Sequence, residues 1–236
     1  MGKGQQWDVV VVGAGNAALC AAISARESGA SVLVIEKASE DERGGNSLFT
    51  AGGFRFVHAG VADLQKDVLV DLSKAEVDQI VIPPLPKETY LDDLRRVTEG
   101  QTDDGLSELL VGRSRETIVW MRENGVRFIP MFGRQSYKVE GKHHFYGGVN
   151  IEAVGGGWGL VDSLFKRAER VGIEVRYSTA LRELLQEPNG AVSGVRVMGR
   201  AAAGGTIRSA TIINAPTTRR PKATRSATRT RKAALT

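Results

Sequence analysis

Three groups of residues in this sequence have the types and spacing to hold a phosphorylated cofactor. Gly13-Ala14-Gly15-Asn16-Ala17-Ala18 is a G-x-G-x-x-A hexad, Glu36 lies 21 residues beyond Gly15, and Gly44-Gly45-Asn46-Ser47 is followed at once by Gly52-Gly53. In such a hexad the first glycine permits a tight turn and the second lets the main chain approach a pyrophosphate. The small third residue lets a helix pack on a strand. N–H groups at the helix start then face the phosphates. An acid at the end of the following strand is placed to hold ribose hydroxyls.

The surrounding elements suit that chemistry. Asp8-Val9-Val10-Val11-Val12 reads as a fully buried parallel strand, Asn16 to Ser28 as a helix stopped by Gly29, and Ser31 to Ile35 as a second buried strand. Together they form a βαβ unit. The hexad alone does not separate a nicotinamide from a flavin dinucleotide. The second glycine-rich loop, GGNSLFTAGG at 44–53, favours the flavin. There Gly44 and Gly45 would let the chain pass the pyrophosphate and ribityl chain, Asn46 and Ser47 would hydrogen-bond them, and Gly52-Gly53 would bring backbone N–H groups to the ring.

Residues 60–150 read as mainly helical, with Leu106, Leu110, Ile118 and Met121 on one face of a helix capped by Thr102 or Asp103 and ended at Gly125. The prolines of IPPLPKE, 82–88, mark a loop. Leu160, Leu164, Phe165, Ala168 and Val171 mark a helix preceded by Gly155-Gly156-Gly157. Strands are expected at 173–177, 179–186, 191–198 and 206–213, with Pro188-Asn189-Gly190 turning a hairpin. The fold class is α/β: a Rossmann-like domain with a central parallel sheet, an added antiparallel hairpin and a helical insertion.

The net charge of +5 is unevenly placed. Residues 216–236 carry seven basic residues and no acid, which leaves 25 basic against 27 acidic residues elsewhere. That tail has no apolar face and reads as a disordered basic segment after a domain spanning 1–215. As a nucleic-acid arm it lacks an aromatic residue for base stacking, and no specific nucleic-acid partner is expected. No apolar run reaches membrane-span length and the N-terminus has no signal-peptide core, so a cytoplasmic protein is expected. The single cysteine, Cys20, reads as packing, and the three histidines make no metal site. His143 and His144 read as exposed loop residues, with a place near the ring as the alternative. His58 is more readily a structural residue than one near the ring, and Trp120 and Trp158 read as packing groups.

The combination of VVVVGAGNAALCAA, VIEK and GGNSLFTAGG resembles the flavoprotein subunits of fumarate reductase and succinate dehydrogenase. Within them the strongest likeness is to FAD-dependent tricarballylate dehydrogenases, through GNAALCAA at 15–22, GGNS at 44–47, LRRVTEG at 94–100 and GVRF at 125–128. It runs from about residue 7 to residue 215. The resemblance implies FAD held by the residues named above together with Lys37 and Leu181, and oxidation or reduction of a carbon–carbon bond in a small carboxylic acid. It also implies electron exchange with a separate partner. Catalytic residues are not assigned. Membrane-bound members carry a flavin-attaching histidine where this chain has Asn46, so the FAD is expected to be noncovalent. Beyond Ala215 the sequence departs from the pattern: Pro216-Thr217-Thr218-Arg219 stands where relatives have a further glycine pair. The cap domain, a proton-relaying arginine and the segment that returns over the flavin are not recognisable, and a frame shift or premature truncation is the expectation.

Overall fold

The computed structural model describes residues 6–199 and 204–215. The tail expected to be disordered, with its frame-shift reading, lies outside them. The chain opens with β1 (Gln6–Val12), α1 (Asn16–Glu27) and β2 (Val32–Ile35), the βαβ start read from the sequence. A 3-10 turn at Gly45–Phe49 follows, then β3 (Gly53–Phe54), α2 (Val61–Asp67), α3 (Lys74–Val77), β4 (Ile80–Val81), α4 (Lys87–Val97) and α5 (Asp104–Glu123). Next come β5 (Phe128–Pro130), α6 (Phe132–Gln135), β6 (Ser136–Val139), β7 (Lys142–Phe145), β8 (Ile151–Ala153) and α7 (Gly156–Arg170). The last elements are β9 (Glu174–Arg176), β10 (Thr179–Gln186), β11 (Val192–Gly199) and β12 (Gly204–Asn214).

The main sheet has the order β10-β11-β12-β1-β2-β9. β12, β1, β2 and β9 run parallel, and β10 and β11 add antiparallel pairings at one edge. Both faces of the central strands are covered, which is why β1 and β2 are apolar without alternation. Val11, Val32 and Val34 face a core shared with α1 and α7, through Ala18, Leu19, Ala22, Leu160 and Leu164. Val10, Val12, Leu33 and Ile35 face the other side with Val195, Val197 and Ile207. The hairpin turn forms as expected: Gly190 takes φ +84° and the Asn189 side chain accepts the Ala191 N–H at 3.0 Å.

The insertion departs from the helical reading. Besides five helices it holds two three-stranded sheets, β3-β8-β5 and β4-β7-β6, whose strands are two to four residues long and too short for an alternating pattern to register. The buried face of α5 is also displaced from the one expected. Ser107, Val111, Ser114, Ile118 and Met121 point inward, whereas Leu106 and Leu110 are 67% and 55% exposed. A serine-containing face lies inward because Ser114 Oγ donates to the Val111 carbonyl and accepts the Val57 N–H. Asp103 caps the helix by accepting the Leu106 N–H at 2.8 Å.

Candidate functional site

The G-x-G-x-x-A hexad turns at the carboxyl ends of β1 and β2, the edge where open α/β sheets hold ligands. Gly13 has φ +99°, and a Cβ there would lie 2.7 Å from the Ala215 carbonyl oxygen, so the end of β12 itself excludes a side chain. The Gly13 N–H donates to the Ile35 carbonyl at 2.8 Å, tying the turn to β2. Gly15 is the N-cap of α1 and offers no side chain to occupy the amides of the first turn. Ala17 is exposed on that turn.

Glu36 is the buried acid of the site, 7% exposed. One carboxylate oxygen accepts the Ala14 N–H at 2.8 Å and the other the Ala38 N–H at 2.9 Å. Its main chain is held by Arg176 and Thr179, at the corner of β9 and β10. The carboxylate therefore shapes the fingerprint turn, and its remaining lone pairs stay available to a ribose hydroxyl.

The second glycine loop is locked onto the first. Ser47 Oγ accepts the Asn16 N–H at 3.1 Å and would lie 3.3 Å from a Cβ on Gly15. Gly44 and Gly45 both take positive φ, 105° and 54°, and a Cβ on Gly44 would sit 2.9 Å from Val161 Cγ1. Asn46 is exposed at the crest of the turn. The expected brackets of 44–53 thus come together with 13–16.

Gly52 and Gly53 have a different primary reason to be bare. A Cβ on Gly52 would lie 2.7 Å from the Gly156 main chain, and one on Gly53 would lie 2.8 Å from Met131. The Gly52 N–H is donated to Thr50 Oγ1 at 3.2 Å, and Gly53 pairs with Glu152 in β3-β8. Close approach of the start of α7 keeps Gly52 bare, and the Met131 and Val149 side chains crowd Gly53. The Gly155–Gly157 run, read only as the prelude to a helix, is the partner surface: Gly157 N–H donates to the Thr50 carbonyl at 3.0 Å.

Beside Glu36 opens a cleft of about 390 Å³ lined by Lys37, Ser39, Ser178, Ala180 and Met198. The Leu181 side chain packs against the apolar cluster of the main sheet that includes Val10, Val12 and Leu33, and its neighbour Ala180 lines the cleft.

The histidines and tryptophans also resolve. His58 is 5% exposed; its Nδ1 accepts the Gly60 N–H at 3.2 Å, and Nε2 faces the Asn150 amide at 3.4 Å. Burial, with Arg115 nearby, lowers its pKa to about 4. His143 and His144 are half-buried in β7 and not in an exposed loop: His143 meets Ser136 Oγ at 3.2 Å and Phe132 edge-on, and His144 stacks on Tyr137. Burial raises the Cys20 thiol to about 12, which keeps it protonated. Trp120 packs as expected and donates to Glu27 at 2.8 Å, but Trp158, on the first turn of α7, is 63% exposed. Among the described residues no His, Cys, Asp and Glu cluster could hold a metal ion, and no helix is long and apolar enough to cross a membrane.

Residues 8–234 match the family described as FAD binding domain. The chain belongs to that family. The matched span of this FAD binding domain extends past Ala215. It is 31% identical to a fumarate reductase (cytochrome) of Shewanella frigidimarina over 192 residues, covering 81% of this chain and 30% of the relative. It is 30% identical to a vinyl phenol reductase of Lactiplantibacillus plantarum over 211 residues, covering 85% of this chain and 35% of that one. The fold is similar to the open conformation of a flavocytochrome c3 fumarate reductase, with TM-score 0.66 and 23% identity over 90% of this chain and 34% of that one. The FAD binding domain thus spans about a third of the length of these relatives.

Proposed function

We propose that this chain binds FAD noncovalently and serves an oxidoreductase acting on a carbon–carbon bond of a small carboxylic acid, fumarate or tricarballylate in type. The observation that carries the binding half is the clasp between the two loops. The uncapped start of α1 and the glycine turn meet at Ser47 and Asn16, with Glu36 buried behind them and an open cleft alongside. These residues fit the cofactor: the helix start suits a pyrophosphate, the Glu36 carboxylate a ribose, and the cleft beyond Lys37 an aromatic base. Asn46 at the crest is a hydrogen-bonding side chain that cannot form the covalent link a histidine makes, which supports the noncovalent mode.

When bound, FAD supplies a hydride acceptor or donor for one carbon while a proton leaves or joins its neighbour. The chain's own contribution is orientation: the Ala14 and Asn16 amides are held by Glu36 and Ser47, the Gly15 and Ala17 amides beside them would face the phosphates, and the 45–49 turn would fix where the ribityl end lies. The carboxylic-acid substrate rests on the likeness of GGNS, LRRVTEG and GVRF to tricarballylate dehydrogenases and on the fumarate reductase among the relatives.

A second reading, a chain that binds FAD and turns nothing over, is favoured by one observation. All three histidines, the common proton-transfer groups, make structural contacts within the insertion. Purified protein loaded with FAD and mixed anaerobically with tricarballylate or succinate separates the two. Bleaching of the flavin band supports turnover; a stable band with bound flavin leaves binding alone.

A further inference from the structure

Arg43 stands immediately before the second glycine pair and was not among the residues expected to matter. Its guanidinium lies over the Phe165 ring of α7, 4.3 Å from the centroid. One nitrogen, Nη1, donates to the Tyr177 hydroxyl at 3.2 Å, and the same group pairs with Glu40 at 3.3 Å. The adjoining Gly44 presses its main chain against Val161, where a Cβ would come within 2.9 Å. Val161 and Phe165 are four apart and so share one face of α7. Arg43 and Gly44 therefore grip two successive turns of that helix.

Tyr177 ties the same contact to the other side of the site. It lies between β9 and β10, next to Ser178, whose N–H donates to the Ala38 carbonyl at 2.8 Å. The glycine turn leaving Gly44 is held at its far end by Ser47 on Asn16 and by Thr50 on Gly157. At the near end Arg43 is a side-chain anchor, through Phe165 and Tyr177.

We infer that Arg43 is a positioning residue for the cofactor loop: stacked on Phe165 and bonded to Tyr177, it sets the distance between the 44–47 turn and the 13–16 turn, and thereby FAD affinity, without touching FAD. The inference rests on the proposed binding of FAD. A planar guanidinium is needed for that grip, because it stacks face-on while donating in its own plane. Lysine keeps the charge and loses the stack.

The test measures FAD dissociation constants for the full chain by flavin fluorescence quenching in wild type, Arg43→Lys, Arg43→Ala, Phe165→Leu and Tyr177→Phe, with the melting temperature of each flavin-free protein. Positioning through the stack predicts about a tenfold loss of affinity in both Arg43 variants and in Phe165→Leu. It also predicts a smaller loss in Tyr177→Phe and a non-additive Arg43/Phe165 double variant. Loss of affinity with unchanged salt dependence separates this role from direct phosphate attraction, which Arg43→Lys would preserve. Wild-type affinity in Arg43→Lys overturns the inference even if Arg43→Ala fails to fold. Affinity lost only in step with melting temperature overturns it too, as a general stability effect. If wild type takes up no FAD, the proposed function falls and this inference with it.

Discussion

Glu36 is the residue on which most of the local order converges, because a single buried carboxylate accepts two main-chain N–H groups from segments more than twenty residues apart in sequence. Removing it as Glu36→Ala leaves both amides without their charged acceptor. Hydrogen bonds to charged groups contribute about 1.5–3 kcal/mol each, so we expect a loss of about 3 kcal/mol, read from urea unfolding of the flavin-free chain. An unchanged midpoint would show that Glu36 does not shape the turn. His58 makes a pH prediction of definite sign. Its folded pKa, lowered by burial to about 4, lies below that of an unfolded histidine, about 6.5. The unfolded chain therefore binds the extra proton first, and stability falls as pH drops from about 6.5 to about 4, by up to about 3 kcal/mol. His58→Gln should flatten that part of the curve relative to wild type; parallel curves over the same range would contradict the assignment.

At the scale of elements, the contact between the 45–50 segment and the start of α7 leaves no room for side chains. A Cβ on Gly157 would lie 2.1 Å from the Ser47 carbonyl. Gly157→Ala must separate the two segments, and we expect destabilisation above about 3 kcal/mol or failure to fold, judged by expression and thermal unfolding. Gly112 is the control: it lies exposed in α5 with nothing within 4 Å of a Cβ, so Gly112→Ala should stabilise by about 0.5–1 kcal/mol. Equal effects at the two positions would mean that helix propensity, and not the close approach, governs the Gly155–Gly157 run. This contact also marks the limit of sequence reading. β1, α1, β2 and α7 are legible because unbroken apolar runs in the strands, the apolar face of α7 and glycine stops are local signals. The double glycine at 52–53 was read as room for a ligand, and the folded chain adds a demand that sequence does not show: Gly156 lies against Gly52, and Met131 and Val149 lie against Gly53. Strands of two to four residues such as β3 and β4 carry no period, and the inward face of α5 depends on Ser114 finding partners that only the folded chain supplies.

For the whole molecule, the parallel core strands bring three separated pieces of sequence to one sheet edge: the hexad after β1, Glu36 after β2, and the glycine turn clasped between α1 and α7. The partners within that assembly that sequence did not announce, Arg43, Tyr177 and the start of α7, all act across long separations. The central claim is that this edge is an FAD cradle, and the visible spectrum tests it most directly. Purified protein incubated with FAD and passed through gel filtration should elute with flavin absorbance under the protein peak, and the proposed noncovalent mode predicts that acid precipitation releases that flavin into the supernatant. Protein that elutes colourless after exposure to excess FAD, while remaining folded by circular dichroism, would contradict the account.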